Sequence, residues 1–97
     1  MSMLDYFKPV STWSADRLRD FLDRHGPADY NLVDVRQPRE YEEGHLPGAR
    51  LLPAAELEER KGELDPGRPT IVYCTAGVRS HAVASVLQHA GFAEVHH

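Results

Sequence analysis

The run Thr70–Cys74, TIVYC, constrains the fold of this 97-residue chain more than any other feature. Its apolar residues stand at adjacent positions, where a strand with one wet face would alternate apolar and polar. A second run, Tyr30–Val35 (YNLVDV), also sets two apolar residues, Leu32 and Val33, side by side. Strands of this kind suit a sheet covered on both faces. Helical patterns separate them. Ser14 is placed to cap a helix whose apolar face is Leu18, Phe21 and Leu22, with Trp13 and Leu18 at staple spacing. Gly26 and Pro27 should end it. Pro38–Glu43 reads as a short helix stopped by Gly44, and His45–Gly48 as a turn. Ala49–Leu52 reads as a short strand, and residues 54–64 as an exposed helix broken by Gly62.

After Cys74 the pattern predicts a loop over 75–79 and a helix from Ser80 to Ala90. The expected apolar stripe of that helix is Ala82, Val83, Val86, Leu87 and Ala90, with Gly91 beyond its end. Phe92–Val95 reads as the start of one more strand. Strands alternating with helices predict a three-layer α/β/α domain with a mainly parallel sheet. Residues 1–10 are expected to form a leader, and residues 11–97 the domain.

Chemistry in such sheets gathers beyond the carboxyl ends of the strands. One run leads through Asp34 to Arg36, the other ends at Cys74, and parallel strands would bring both ends to one edge. Cys74 is the chain's single cysteine, so an internal disulfide is excluded and a reducing compartment is the simpler setting. In Cys74–Ser80, CTAGVRS, a cysteine closes a strand, a loop with one glycine follows, and a helix begins. Such a loop can turn successive N–H groups inward as an anion nest. The helix N-terminus adds about half a positive charge, and Arg79 adds a full one. All three favour thiolate over thiol, so the Cys74 pKa is expected below the usual value of about 8.5. Gly77 suits a loop that needs positive φ.

At this point the chain resembles the rhodanese-like domain family. Asp34–Ala49, DVRQPREYEEGHLPGA, is similar to that family's D-V-R-x-x-x-E-[YF]-x-x-G-H-[IL]-x-G-A signature. Ile71–Ser80, IVYCTAGVRS, is similar to its active-site strand and loop. The resemblance spans roughly residues 11 to 95. It implies a persulfide-forming cysteine at Cys74. Thr75, Ala76, Gly77, Val78, Arg79 and Ser80 would form the surrounding loop and substrate-binding residues. Arg79 would attract an anionic donor such as thiosulfate. Family members continue past the equivalent of His97 into a last turn and helix, so the resemblance implies a truncated C-terminal end.

The expected activity is sulfane-sulfur transfer from thiosulfate or a related donor to cyanide or a thiol, a protein thiol among the candidates. No cofactor or metal is expected. One alternative is a non-catalytic rhodanese-like binding or regulatory module fused to another domain. Another is a phosphatase or arsenate reductase. Those relatives have a loop one residue longer than the four residues between Cys74 and Arg79, and the shorter ring suits sulfur better than phosphate.

Asp34 and Arg36 are expected at the mouth of the site. Glu40 and His45 read as an ion-pair and turn framework, and His81 as an exposed helix-start residue. Eleven basic against 15 acidic residues give a formal charge of −4, which argues against nucleic acid as a partner. The opening MSMLDYFKPV has no secretory pattern and no stretch matches a membrane span, so a cytoplasmic setting is expected.

Overall fold

The computed structural model describes residues 10–75 and 77–97. The expected leader therefore lies outside the described residues apart from Val10. Four strands, β1 (Asn31–Asp34), β2 (Arg50–Leu51), β3 (Thr70–Tyr73) and β4 (Val95–His96), form one sheet in the order β2-β1-β3-β4. Every pairing is parallel. Among the described residues the α-helices are α1 (Ala15–Arg24), α2 (Pro38–Glu43), α3 (Leu57–Arg60) and α4 (Val78–His89).

The adjacent apolar residues of the two central strands do what the pleat demands. Val33 and Val72 point to one side, into a core shared with Leu52, Leu57, Val83 and Leu87. Leu32 and Ile71 point to the other, beneath Leu18, Phe21 and Leu22 of α1. Both faces are covered, which gives the three layers. At the start of α1, Ser14 Oγ accepts the Arg17 N–H at 3.1 Å.

The end of α4 is a Schellman turn. Gly91 sits at φ +94°, its N–H reaches Gln88 O, and the Phe92 N–H reaches Leu87 O. Phe92 is thereby delivered into the core beside Leu87. The expected strand from Phe92 consequently begins only at Val95.

Three further expectations need correction. Residues 54–64 do not form one exposed helix. They make two 3₁₀ turns, Ala54–Glu56 and Lys61–Glu63, around the single turn of α3, and Leu57 and Leu64 lie in the core. α4 begins at Val78 rather than Ser80, because Gly77 adopts the left-handed conformation as its N-cap. Its buried face is Ser80, Val83, Ala84 and Leu87, while Ala82 and Ala90 are exposed. Val83, Val86 and Leu87 of the expected stripe do pack in or against the core; the apolar pattern errs at its alanine edges, where Ser80 and Ala84 are buried in place of Ala82 and Ala90.

The corrected stripe has a direct test. Leu87→Ala should cost about 2–5 kcal/mol in urea unfolding, as expected for a buried large-to-small change. Ala82→Lys should change stability by less than about 0.5 kcal/mol. Comparable losses for the two would contradict the observed face.

Candidate active site

β1 and β3 pair in register, so Asp34 and Tyr73 stand side by side and both strands end at the same edge. Cys74 is the next residue of the chain. β3 stops one residue short of it, and the backbone turns away there instead of continuing the ladder. Gly77, at φ +81°, reverses the chain into α4. A side chain there would have room but would be strained by that φ.

This path folds the loop around the sulfur. Gly77 N–H donates to Cys74 Sγ at 3.1 Å and Ser80 N–H at 3.4 Å. Ser80 Oγ lies 3.5 Å from the same atom. Burial pushes the Cys74 thiol up. Hydrogen bonds from the Ser80 side chain and backbone, then from the Gly77 and Arg79 backbone, outweigh it and hold the pKa below its ordinary value. The three-turn helix α4 adds the positive end of its dipole at the same place. Ala76 lies outside the described residues.

Arg79 stands in the first turn of α4, and its guanidinium is engaged. Its two terminal nitrogens donate to Glu40 Oε1 at 2.8 Å and Oε2 at 3.2 Å. Glu40 also accepts the Gln37 N–H at 3.0 Å, which closes the start of α2, and the Thr75 hydroxyl at 3.3 Å. The Arg79 hydrogen bonds, then the Gln37 N–H, hold the Glu40 carboxyl down to about 2. Glu40 thus clamps the cysteine loop to α2. From sequence it reads as framework; the pairing with Arg79 joins two motifs that lie 39 residues apart and becomes visible only once the strands are paired.

Asp34 and Arg36, expected at the mouth, occupy different depths. Asp34 is fully buried, and both its oxygens receive Arg36, at 2.9 Å from Nε and 2.7 Å from Nη2. Burial raises the Asp34 pKa, but the Arg36 side-chain and backbone hydrogen bonds win and keep it below its ordinary value. With its oxygens turned to Arg36, Asp34 has no free edge for a ligand. Arg36 reaches on to Gly44 O at 2.6 Å and borders a 210 Å³ recess shared with His45, Tyr73, Cys74 and Thr75. His45 is stacked on the Tyr41 ring at 3.6 Å.

A second recess of 330 Å³ opens onto Cys74 from the other side, past Trp13, Gly77, Ser80 and His97. His97 also lines it, and its Nδ1 lies 3.3 Å from Ser80 Oγ. His81 is exposed, as expected, with its ring edge-on to His97. Among the described residues no three His, Cys, Asp or Glu side chains gather as metal ligands, and no helix is long and apolar enough to cross a membrane.

A sulfur nucleophile in a ring of N–H donors, open on two sides, is a site for covalent capture of a small electrophilic group. Known proteins identify the family. The model of the rhodanese-like domain matches residues 14–97. The chain is 40% identical over 73 residues to the uncharacterized protein YqhL of Bacillus subtilis, covering 75% of this chain and 58% of that protein's length. It is also 40% identical over 87 residues to the thiosulfate sulfurtransferase GlpE of Coxiella burnetii, covering 90% of this chain and 73% of GlpE. A rhodanese-like domain protein from Staphylococcus aureus superposes with a TM-score of 0.80 at 26% identity, over 89% of this chain and 81% of that one. Two motifs brought to one sheet edge and a match along most of the sequence agree: the chain belongs to the rhodanese-like domain family.

Proposed function

We propose that the protein is a sulfurtransferase that carries sulfur on Cys74 as a persulfide. The observation behind this reading is the sulfur itself, ringed by the Gly77 and Ser80 N–H groups and left accessible. In the first step the Cys74 thiolate attacks the outer sulfur of thiosulfate or a similar sulfane donor. The S–S bond to the sulfonate breaks, and sulfite leaves with the bonding pair. In the second step a thiolate or cyanide attacks the outer sulfur of the persulfide and regenerates the Cys74 thiolate. Charge balances in both steps, and no proton has to cross the site when donor and acceptor are anions. The Gly77, Arg79 and Ser80 amides stabilise whichever sulfur carries the charge.

The ring size supports sulfur over phosphorus. With four residues between Cys74 and Arg79, the cradle suits a single sulfur better than a phosphate with its full oxygen shell. Arg36 borders the donor's approach, and Asp34 acts through it. Val78, 74% exposed at the start of α4, gives an apolar foothold to an acceptor as large as a protein thiol.

Intact mass after thiosulfate treatment should rise by one sulfur atom, and Cys74→Ser should abolish the gain. No adduct, together with hydrolysis of an aryl phosphate, would move the assignment to phosphoryl chemistry. No adduct and no hydrolysis would leave a binding module. A second test reads the ionisation. Thiolate is lost as pH falls through the Cys74 pKa, so iodoacetamide labelling should slow there, with a midpoint below about 8.5. Glu40, held near 2, stays charged throughout and cannot supply that inflection. A midpoint at or above the ordinary thiol value contradicts the thiolate cradle.

A further inference from the structure

We propose that His97 is a positioning residue that sets the ionisation of Cys74 through Ser80. The four side chains lie in series. Thr12 Oγ1 is 3.0 Å from His97 Nε2, His97 Nδ1 is 3.3 Å from Ser80 Oγ, and Ser80 Oγ is 3.5 Å from Cys74 Sγ. The ring is held on its backbone as well: Trp13 N–H donates to His97 O at 2.8 Å and His97 N–H to Ser11 O at 3.0 Å.

Counting protons fixes the direction of the chain. Ser80 has one O–H and two lone pairs. Its side chain has two neighbours besides His97: the Gly77 carbonyl at 3.2 Å and the Cys74 sulfur at 3.5 Å. While Cys74 is a thiol, its S–H can donate to Ser80 Oγ and the hydroxyl can turn to Gly77 O. Once Cys74 is a thiolate, the hydroxyl serves it best by turning to the sulfur. Ser80 then has no hydrogen left for His97, so the imidazole has to be the donor. With the ring N–H on Nδ1, where Ser80 needs it, the Thr12 hydroxyl can give its hydrogen to Nε2, so this tautomer leaves both ring nitrogens partnered and polarises Ser80 toward the sulfur. Burial, then the neighbouring His81, hold the His97 pKa below its ordinary value, which favours the neutral ring with a single N–H to give.

The charged and titratable groups around this chain are few. His81 on α4 faces the His97 ring at 5.1 Å. Arg79, paired with Glu40 of α2, and Arg36, paired with Asp34, face Cys74 from the opposite side. Tyr73 and His45 border the sulfur on that side too. None of them lies between His97 and Ser80, so the effect of His97 can be read separately from theirs.

The role deepens the sulfur-transfer reading and rests on it. The test, however, needs no sulfur donor, so the two fail independently. Iodoacetamide labelling of Cys74 is followed against pH in four variants of the whole chain. His97→Phe keeps a ring and removes both nitrogens, and should raise the midpoint by about half a pH unit or more. Ser80→Ala should raise it at least as far. The double variant should match Ser80→Ala alone, because His97 acts only through that hydroxyl. His97→Asn, whose amide nitrogen falls near the position of Nδ1, should recover most of the wild-type midpoint. A purely structural histidine would not give this order. An unmoved midpoint in His97→Phe overturns the proposal, as do additive single shifts or failure of His97→Asn to recover.

Discussion

The in-register parallel pairing of Asn31–Asp34 with Thr70–Tyr73 is the contact on which everything else depends. It aligns the ends of two strands that are far apart in the chain. Beyond one end the backbone must run to Arg36 and α2; beyond the other it must run through Cys74 to α4. A slip of one residue would exchange the two faces of a strand and turn Val72 from the α4 core toward α1. The register is fixed because both faces are packed. The site inherits its precision from that packing, since neither loop contains an element that could hold the geometry alone.

Two ion pairs carry this precision outward. Asp34 with Arg36 stiffens the β1 exit from below, and Glu40 with Arg79 ties α2 to α4 from above. The buried pair is the costlier to break: removing one partner of such a pair leaves the other charge stranded, a loss on the order of 3–5 kcal/mol. Each pair is bidentate, so it fixes orientation as well as distance. Cys74 is held chiefly by the Ser80 side chain and the loop amides, and Arg79, though paired with Glu40, also interacts with the sulfur.

Much of this was legible in the chain because local rules and tertiary packing agree. The adjacent apolar residues of TIVYC and YNLVDV announce strands covered on both sides. Ser14, Pro38, Gly44 and Gly91 mark helix ends through backbone rules that need no tertiary information. Legibility failed where packing decided alone. Ser80 is buried beside Cys74, against its polarity, and so the edges of the α4 stripe differ from the apolar pattern while Val83, Val86 and Leu87 follow it. Leu57 and Leu64 are buried from a segment whose other residues are mostly charged. His97 reaches the site through the β3–β4 pairing, a contact that no spacing rule links to Cys74. The depth of Asp34 follows from its place inside the sheet; its proximity to the site was apparent, but not which of its edges remained free.

The clamp between Glu40 and Arg79 also shapes how the cleft is felt from afar. A lone guanidinium would project a monopole field, reaching out about one Debye length, roughly 8 Å at physiological ionic strength. Coupled to a carboxylate at 2.8 Å, it projects only the faster-fading field of a dipole. An anion arriving at Cys74 would therefore meet peptide hydrogens at contact rather than a long-range field. Encounter with small molecules should consequently vary little with added salt, and an uncharged partner enters on nearly equal terms with a charged one.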